Sequence, residues 1–171
     1  MTNKALLLIA AALGSLFLTT ATIEPAMAKA PMGFLLMCLQ HPDECKGGGA
    51  STVTASEDVL ATIKKVNASV NSWMRPKPDG RADVWSVNVR AGDCEDYVLA
   101  KRKALIRAGI PASSLRIAAV KTRRGEGHAI LVVNTSRGRI VLDNLTPVVR
   151  PLAQTGYRIV AIQSANPYRW S

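Results

Sequence analysis

The chain has 171 residues, of which 48% are hydrophobic and 20% are charged. The chain is long enough and apolar enough to form one compact domain, and its apolar content excludes general disorder. The formal net charge is +10 at pH 7, so the surface is expected to be strongly basic.

Residues 1–28 have the features of a cleaved secretory signal peptide. Lys4 precedes an apolar run from Ala5 to Leu18, which is short for a membrane span, and Ala26-Met27-Ala28 follows with small residues at its ends. We therefore expect a periplasmic or secreted protein with a mature domain at residues 29–171. No second long apolar run follows, so a polytopic membrane protein is excluded and no membrane span is expected after cleavage.

All three cysteines lie in the predicted mature domain, where an oxidising compartment allows thiols to pair. Cys38 and Cys45 are close in sequence across the turn-prone stretch His41-Pro42-Asp43, so we expect a disulfide between them. Cys94 is then the free cysteine. In the alternative, the first two cysteines stay reduced and pack as small hydrophobic side chains.

Two stretches predict amphipathic helices. Behind Ser56-Glu57-Asp58, apolar residues recur at helical spacing and predict a capped helix of four turns: Val59, Ile63, Val66, Val70 and Trp73. A long loop at 75–92 follows and is a candidate cleft wall, and its Trp85 is expected to pack over something nearby. The second helix begins near Asp93, runs to Ala108 and is terminated by Gly109.

The remainder of the chain has the period-two pattern of strands. Four segments are β-branched and apolar: Leu115–Val120, His128–Val133, Arg139–Asp143 and Tyr157–Ile162. Ser136-Arg137-Gly138 predicts a hairpin turn between the second and third of them. We therefore predict an α+β fold in which N-terminal helices pack on an antiparallel β-sheet.

Cys94, His128 and Asp143 are candidates for a catalytic triad. The predicted position of Cys94 in the first helical turn favours a thiolate, because the helix N-terminus lowers a thiol pKa. His128 and Asp143 are nearly symmetric about the hairpin turn, so they are expected to lie roughly opposite each other on one face. Taken singly, His128 is equally compatible with a structural role, and Asp143 with the start of a turn.

Three motifs resemble those of a known family: Gly92-Asp93-Cys94-Glu95-Asp96-Tyr97, Gly127-His128-Ala129 and Val141-Leu142-Asp143-Asn144. They closely resemble the bacterial transglutaminase-like cysteine proteinases, which include LapG-type periplasmic proteases that act on surface adhesins. The resemblance extends over most of residues 31–171. It implies a papain-like, transglutaminase-type core with a cysteine nucleophile, a histidine base and an orienting aspartate at the three triad positions. It does not identify the substrate, for which we expect a protein of the envelope or cell surface.

Asp93, Glu95 and Asp96 surround the candidate nucleophile and oppose a thiolate by like-charge repulsion. Clustered carboxylates suit calcium, which prefers hard oxygen ligands. The alternative is that the three acids only cap the helix and complement its dipole. The resemblance favours calcium, because related enzymes use the corresponding acids as ligands.

The basic runs Lys101–Lys103 and Lys121–Arg124 are also compatible with nucleic-acid binding. Export and an aromatic content of 5%, with no recognition motif, argue against that function. Two enzymatic alternatives use the same scaffold, namely transglutaminase-like acyl transfer to an amine and amidase cleavage of cell-wall peptides. A non-enzymatic peptide-binding domain is a further alternative, against which the complete Cys, His and Asp set argues.

Overall fold

The computed structural model describes residues 29–80 and 82–171, so the predicted signal peptide lies outside the described residues. Three α-helices are formed by Met32–Gln40 (α1), Glu57–Trp73 (α2) and Cys94–Arg107 (α3) within this part of the chain. The strands are Arg75–Pro76 (β1), Ala91–Gly92 (β2), Leu115–Lys121 (β3), Gly127–Thr135 (β4), Gly138–Leu142 (β5), Arg150–Pro151 (β6) and Arg158–Ile162 (β7).

Helix α2 begins where its sequence predicts. The side chain of Ser56 accepts a hydrogen bond of 3.3 Å from the backbone N–H of Val59, which satisfies one of the free donors of the first turn. Ile63 and Val70 are buried, as the apolar stripe requires. Trp73, the last residue of the predicted stripe, is instead 44% exposed, because it lies at the final helical position beside an open groove.

The main sheet has five strands in the order β6-β5-β4-β3-β7, and every neighbouring pair is antiparallel. One face packs under the helices, with Leu131 and Val133 in the same buried cluster as Val98 of α3. The alternate residues of β4, such as Ile130, belong to a second cluster on the other face. The predicted α+β fold, with helices packed on an antiparallel sheet, is confirmed.

The hairpin between β4 and β5 has a two-residue turn closed by the pair Thr135 and Gly138. Gly138 has φ 107°, a conformation that side chains disfavour. Because Leu131 pairs with Leu142, the same register places Asp143 across from Ile130. His128 and Asp143 therefore share a face as diagonal neighbours, two residues away from a direct cross-strand pair, in agreement with the prediction that they lie roughly opposite each other.

The predicted disulfide between Cys38 and Cys45 is present. It joins α1 to the short turn that follows, and the buried guanidinium of Arg102 donates to two carbonyl oxygens of that segment, Glu44 at 2.7 Å and Lys46 at 2.8 Å. These contacts attach the N-terminal segment to α3. In the described part of the chain, no helix is both long enough and apolar enough to cross a membrane.

Candidate active site

Cys94 is the first residue of α3 and is half-buried at the helix N-terminus. Helix α3 packs on β4, and the thiol lies close enough to the backbone N–H of Ala129 for that donor to favour the thiolate. Since Ala129 directly follows His128, the packing of α3 on β4 brings the free cysteine to the strand that carries the histidine.

His128 and Asp143 form a buried hydrogen-bonded pair. Nε2 of His128 lies 2.9 Å from Oδ1 of Asp143, and the two side chains are only 5% and 3% exposed. An ionised carboxylate can only accept, so Nε2 carries the proton. The lone pair of Nδ1 is then the basic position of the imidazole, which is the arrangement that a general base requires.

Further donors surround the Asp143 carboxylate. The hydroxyl of Tyr157 donates to Oδ2 at 2.6 Å, and the backbone N–H of Leu145 donates to Oδ1 at 3.0 Å. Burial alone would raise the pKa of Asp143, but the hydrogen bonds from His128, Tyr157 and Leu145 outweigh it, and the pKa lies below its ordinary value. The carboxylate therefore remains ionised and able to orient the imidazole.

Two asparagines of α2 hold the backbone that carries Asp143. Oδ1 of Asn67 accepts from the N–H of Asp143 at 3.2 Å, while its Nδ2 donates to the carbonyl oxygens of Thr146 and Pro147. Nδ2 of Asn71 donates to the carbonyl oxygen of Asp143 at 2.9 Å. Asn67 is fully buried, so these bonds fix the loop after β5 to the helix layer.

The thiol of Cys94 donates its hydrogen bond to Oε2 of Glu95 at 3.2 Å and has no hydrogen bond to His128. Burial and the adjacent Glu95 carboxylate raise the pKa of Cys94 to about 12. The prediction of a lowered thiol pKa is therefore wrong for this state, because desolvation and like charge outweigh the helix N-terminus. The structure therefore contains the His128–Asp143 part of the predicted triad, whereas the Cys94 thiol is hydrogen-bonded to Glu95 instead of His128.

The acidic residues beside Cys94 form two groups that share Asp93. In the first group, carboxylate oxygens of Asp79, Asp93 and Asp96 lie within 4.8 Å of one another. In the second group, the ligand atoms of Asp93, Cys94 and Glu95 lie within the same distance. The predicted ligand set Asp93, Glu95 and Asp96 is thus divided, since Glu95 lies on the thiol side and Asp96 meets Asp79. Burial, with repulsion from Asp93 and Asp79, raises the pKa of Asp96 to about 6.

Asp93 does not behave as a simple helix cap. It occupies the N-cap position of α3, yet its side chain makes no capping hydrogen bond, and its buried Oδ1 has no hydrogen-bond partner among the residues that the structure describes. Oδ1 of Asp96 accepts from the backbone N–H of Ser86 at 2.6 Å. A side chain at position 92 would collide with Asp96, which explains Gly92. A buried, unpartnered carboxylate oxygen among other carboxylates is the kind of position that a hard cation fills.

Residues 24–171 match the sequence profile of the family described as bacterial transglutaminase-like cysteine proteinase BTLCP. The chain belongs to the BTLCP family. The family predicted from the three sequence motifs is therefore confirmed. No curated protein sequence shows significant similarity to the chain.

Solved structures of LapG from Legionella pneumophila have a similar fold. The calcium-bound form matches with a TM-score of 0.57 and 24% identity, over 63% of this chain and 66% of that chain. The EGTA-treated form matches with a TM-score of 0.56 and 24% identity, over 63% of this chain and 64% of that chain. This BTLCP chain therefore aligns with slightly less than two thirds of LapG, and the similarity shows a common fold.

Several residues of the candidate site were not predicted from the sequence of this BTLCP chain. Asn67 and Asn71 interrupt the apolar stripe of α2 at a spacing of four, which was a detectable signal of a buried polar contact. Tyr157 was assigned only to a strand. Asp79 lies in a loop of prolines and charges and carried no signal of its own.

Burial decides the role of two further features of this BTLCP chain. Trp85 is buried against Phe34 with ring centroids 5.5 Å apart, and its indole N–H donates to Asp83, so it packs on the core as predicted, while residues 87–90 of the same loop line a groove. Lys101 and Arg102 are buried. The run Lys101–Lys103 is therefore not a continuous basic patch on the surface.

Proposed function

We propose that this member of the BTLCP family is an exported cysteine peptidase that hydrolyses peptide bonds of a protein substrate. The observation that carries the proposal is the buried His128–Asp143 pair on the hairpin against which the cysteine-bearing helix start is packed. Cys94 is the nucleophile, His128 the general base and Asp143 the orienting acid. Family membership supports the same assignment.

The reaction follows from the protonation states of the site. Nδ1 of His128 takes the thiol proton, and the Cys94 sulfur attacks the scissile carbonyl carbon to form a tetrahedral oxyanion. The backbone N–H of Cys94 is the first oxyanion donor. His128 then protonates the departing amine, and water hydrolyses the thioester. Asp143 holds the Nε2–H tautomer and stabilises the imidazolium.

We also propose that calcium binds beside the nucleophile. Asp93, Asp96 and Asp79 would hold the ion, with Glu95 approaching from the thiol side. The unpartnered, buried oxygen of Asp93 and the raised pKa of Asp96 support a site built for positive charge. A bound cation supplies positive charge that offsets carboxylate repulsion and favours the Cys94 thiolate. Calcium-bound and EGTA-treated forms of LapG, which has a similar fold, agree with this proposal.

The proposed setting is the bacterial periplasm or the extracellular side, with residues 1–28 removed as a signal peptide and 29–171 as the mature domain. The proposed substrate is an envelope or surface protein. A net charge of +10 suits an anionic environment or an acidic substrate.

Incubation of the purified protein with envelope extracts tests the proposed reaction. New protein termini, identified by mass spectrometry, should arise with the unaltered chain and not with Cys94→Ala. Incorporation of an added primary amine without new termini would assign acyl transfer instead. Release of cell-wall peptides alone would assign amidase activity, and binding of peptides without turnover would leave a non-enzymatic domain.

A further inference from the structure

A groove of about 820 Å³ lies between α2, α3 and the loop at 87–90. Along α3 it is lined from Leu99 to Ala108, whereas Cys94 is at the start of that helix. At a rise of 1.5 Å per residue, Leu99 is about 8 Å further along the helix axis than Cys94. None of Cys94, His128 and Asp143 lines this groove.

The floor of the groove is apolar. Val66, Val89 and Ala100 are partly buried there and pack on the cluster formed by Val70, Met74 and Tyr97. Trp73 stands at the edge of this floor and is 44% exposed. An exposed tryptophan beside an open apolar surface is typical of a docking site, because its ring supplies a large contact area with little loss of side-chain entropy.

The rim of the groove is cationic. Lys65, Arg90 and Arg107 line it, are exposed, and have no salt bridge among the described residues. The acid that lines it, Glu44, is already paired with Lys103. The positive potential of the rim is therefore not balanced locally.

We propose that this groove binds an acidic polypeptide segment with apolar anchor residues, presented by a partner protein. The apolar floor and Trp73 fit the anchors, and the three exposed cations fit carboxylates at the edges. The groove lies within the size range of roughly 300–1,000 Å³ typical of ligand sites, so it accommodates several side chains. A second copy of this chain is disfavoured because each copy carries a net charge of +10.

This inference stands apart from the proposed peptidase activity, because binding is measured without turnover. The probe is a synthetic peptide of about 14 residues, roughly four helical turns, with Leu and Phe at helical spacing and Glu elsewhere. Trp73 is the reporter, since Trp85 and Trp170 are only 7% and 2% exposed. We expect a saturable blue shift of tryptophan fluorescence, and no shift with the counterpart peptide in which Lys replaces every Glu.

Charge reversals with a matched control locate the binding. Lys65→Glu and Arg107→Glu should each weaken the affinity for the peptide by about tenfold. Lys64→Glu is the control, since Lys64 is exposed on the same helix but does not line the groove. Trp73→Ala should weaken binding measured by calorimetry, and Cys94→Ala should bind with unchanged affinity.

Three results would overturn the inference. Absence of saturable binding would remove the site. Equal weakening by Lys64→Glu and Lys65→Glu would show a diffuse basic surface. Equal affinity for polyglutamate, which has no apolar anchors, would show that the floor and Trp73 have no part in binding. A chain without proteolytic activity that still bound the peptide would leave this inference standing and reject only the peptidase proposal.

Discussion

The hydroxyl of Tyr157 lies 2.6 Å from Oδ2 of Asp143, on the opposite side of the carboxylate from the oxygen that faces His128. The ring of Tyr157 also packs edge-on against the imidazole, with centroids 5.6 Å apart. The Tyr157 side chain thus contacts both His128 and Asp143, which makes it a positioning residue for the geometry of His128.

Tyr157→Phe tests that role, because it keeps the ring and removes the hydroxyl. Loss of one hydrogen bond to a carboxylate is worth about 1.5–3 kcal/mol, and we expect kcat to fall by about tenfold with KM nearly unchanged. The acidic limb of the pH profile should shift to higher pH, because Asp143 loses one of the hydrogen-bond donors that lower its pKa. Tyr168→Phe is the control, since Tyr168 is 55% exposed. An unaltered profile in Tyr157→Phe would refute the positioning role.

Substitutions in the proposed triad should reduce activity to different extents, according to the role of each residue. Cys94→Ala and His128→Ala should abolish proteolysis while the protein remains folded by circular dichroism. Asp143→Asn should reduce the rate less than loss of the nucleophile does, by a factor on the order of 10²–10⁴, because it disturbs the tautomer without removing the attacking group. Full activity in Asp143→Asn would exclude an orienting role.

Asn67→Ala should destabilise the fold and the site together. It removes the acceptor for the buried N–H of Asp143 and the donor to two partly buried carbonyl oxygens. We expect the free energy of unfolding to fall by about 2–3 kcal/mol in urea titrations. Ser69→Ala, on the exposed face of the same helix, should change it by less than about 0.5 kcal/mol. Equal effects would show that the asparagine contacts contribute little.

Chelation should reversibly abolish the proposed proteolytic activity if calcium binds at the acidic residues. Calorimetry should detect binding to the unaltered chain and a large loss in Asp93→Asn and Asp79→Asn. The rate of Cys94 alkylation at neutral pH should rise with calcium, because the cation offsets the carboxylates that raise the thiol pKa. A rate of proteolysis independent of chelator would remove the metal and leave the peptidase proposal intact.

Lys101 should make stability increase with pH. It is 1% exposed, its ammonium lies 5.7 Å from the centre of the Tyr97 ring, and burial lowers its pKa to about 7 despite attraction to Asp143. The unfolded chain, with a lysine pKa of about 10.4, binds more protons than the folded chain above pH 7. Deprotonation of Lys101 in the folded chain therefore increases the free energy of unfolding as the pH rises above about 7. This increase is absent below about pH 7.

Lys101→Met removes that dependence. The variant should be more stable than the unaltered chain at pH 6–7, and the difference should shrink by about 2 kcal/mol by pH 9. Urea titrations at several pH values measure it, and Lys64→Met provides an exposed-lysine control. Parallel curves for the unaltered chain and Lys101→Met would show that Lys101 is charged throughout this range.

Much of the fold and the catalytic candidates could be predicted from the sequence because the signals are local. Ser56 starts α2, Gly138 closes the hairpin, and Cys38 and Cys45 pair across a short turn, each within a few residues of chain. Turn chemistry, apolar period and capping preference act over such windows. The hairpin also placed His128 and Asp143 roughly opposite each other on one face, where they are diagonal neighbours.

Tertiary packing decided what these local patterns do not encode. Asn67 meets Asp143 across 76 positions of the chain, and the contact of Tyr157 with Asp143 depends on how the chain returns to the sheet. Packing also buried Lys101 while it left Trp73 exposed, and it grouped Asp79 instead of Glu95 with Asp93 and Asp96. The residue types determined which chemistry is available, whereas burial and long-range contacts determined which groups meet and what their pKa values are, because desolvation and Coulomb interaction depend on three-dimensional distance.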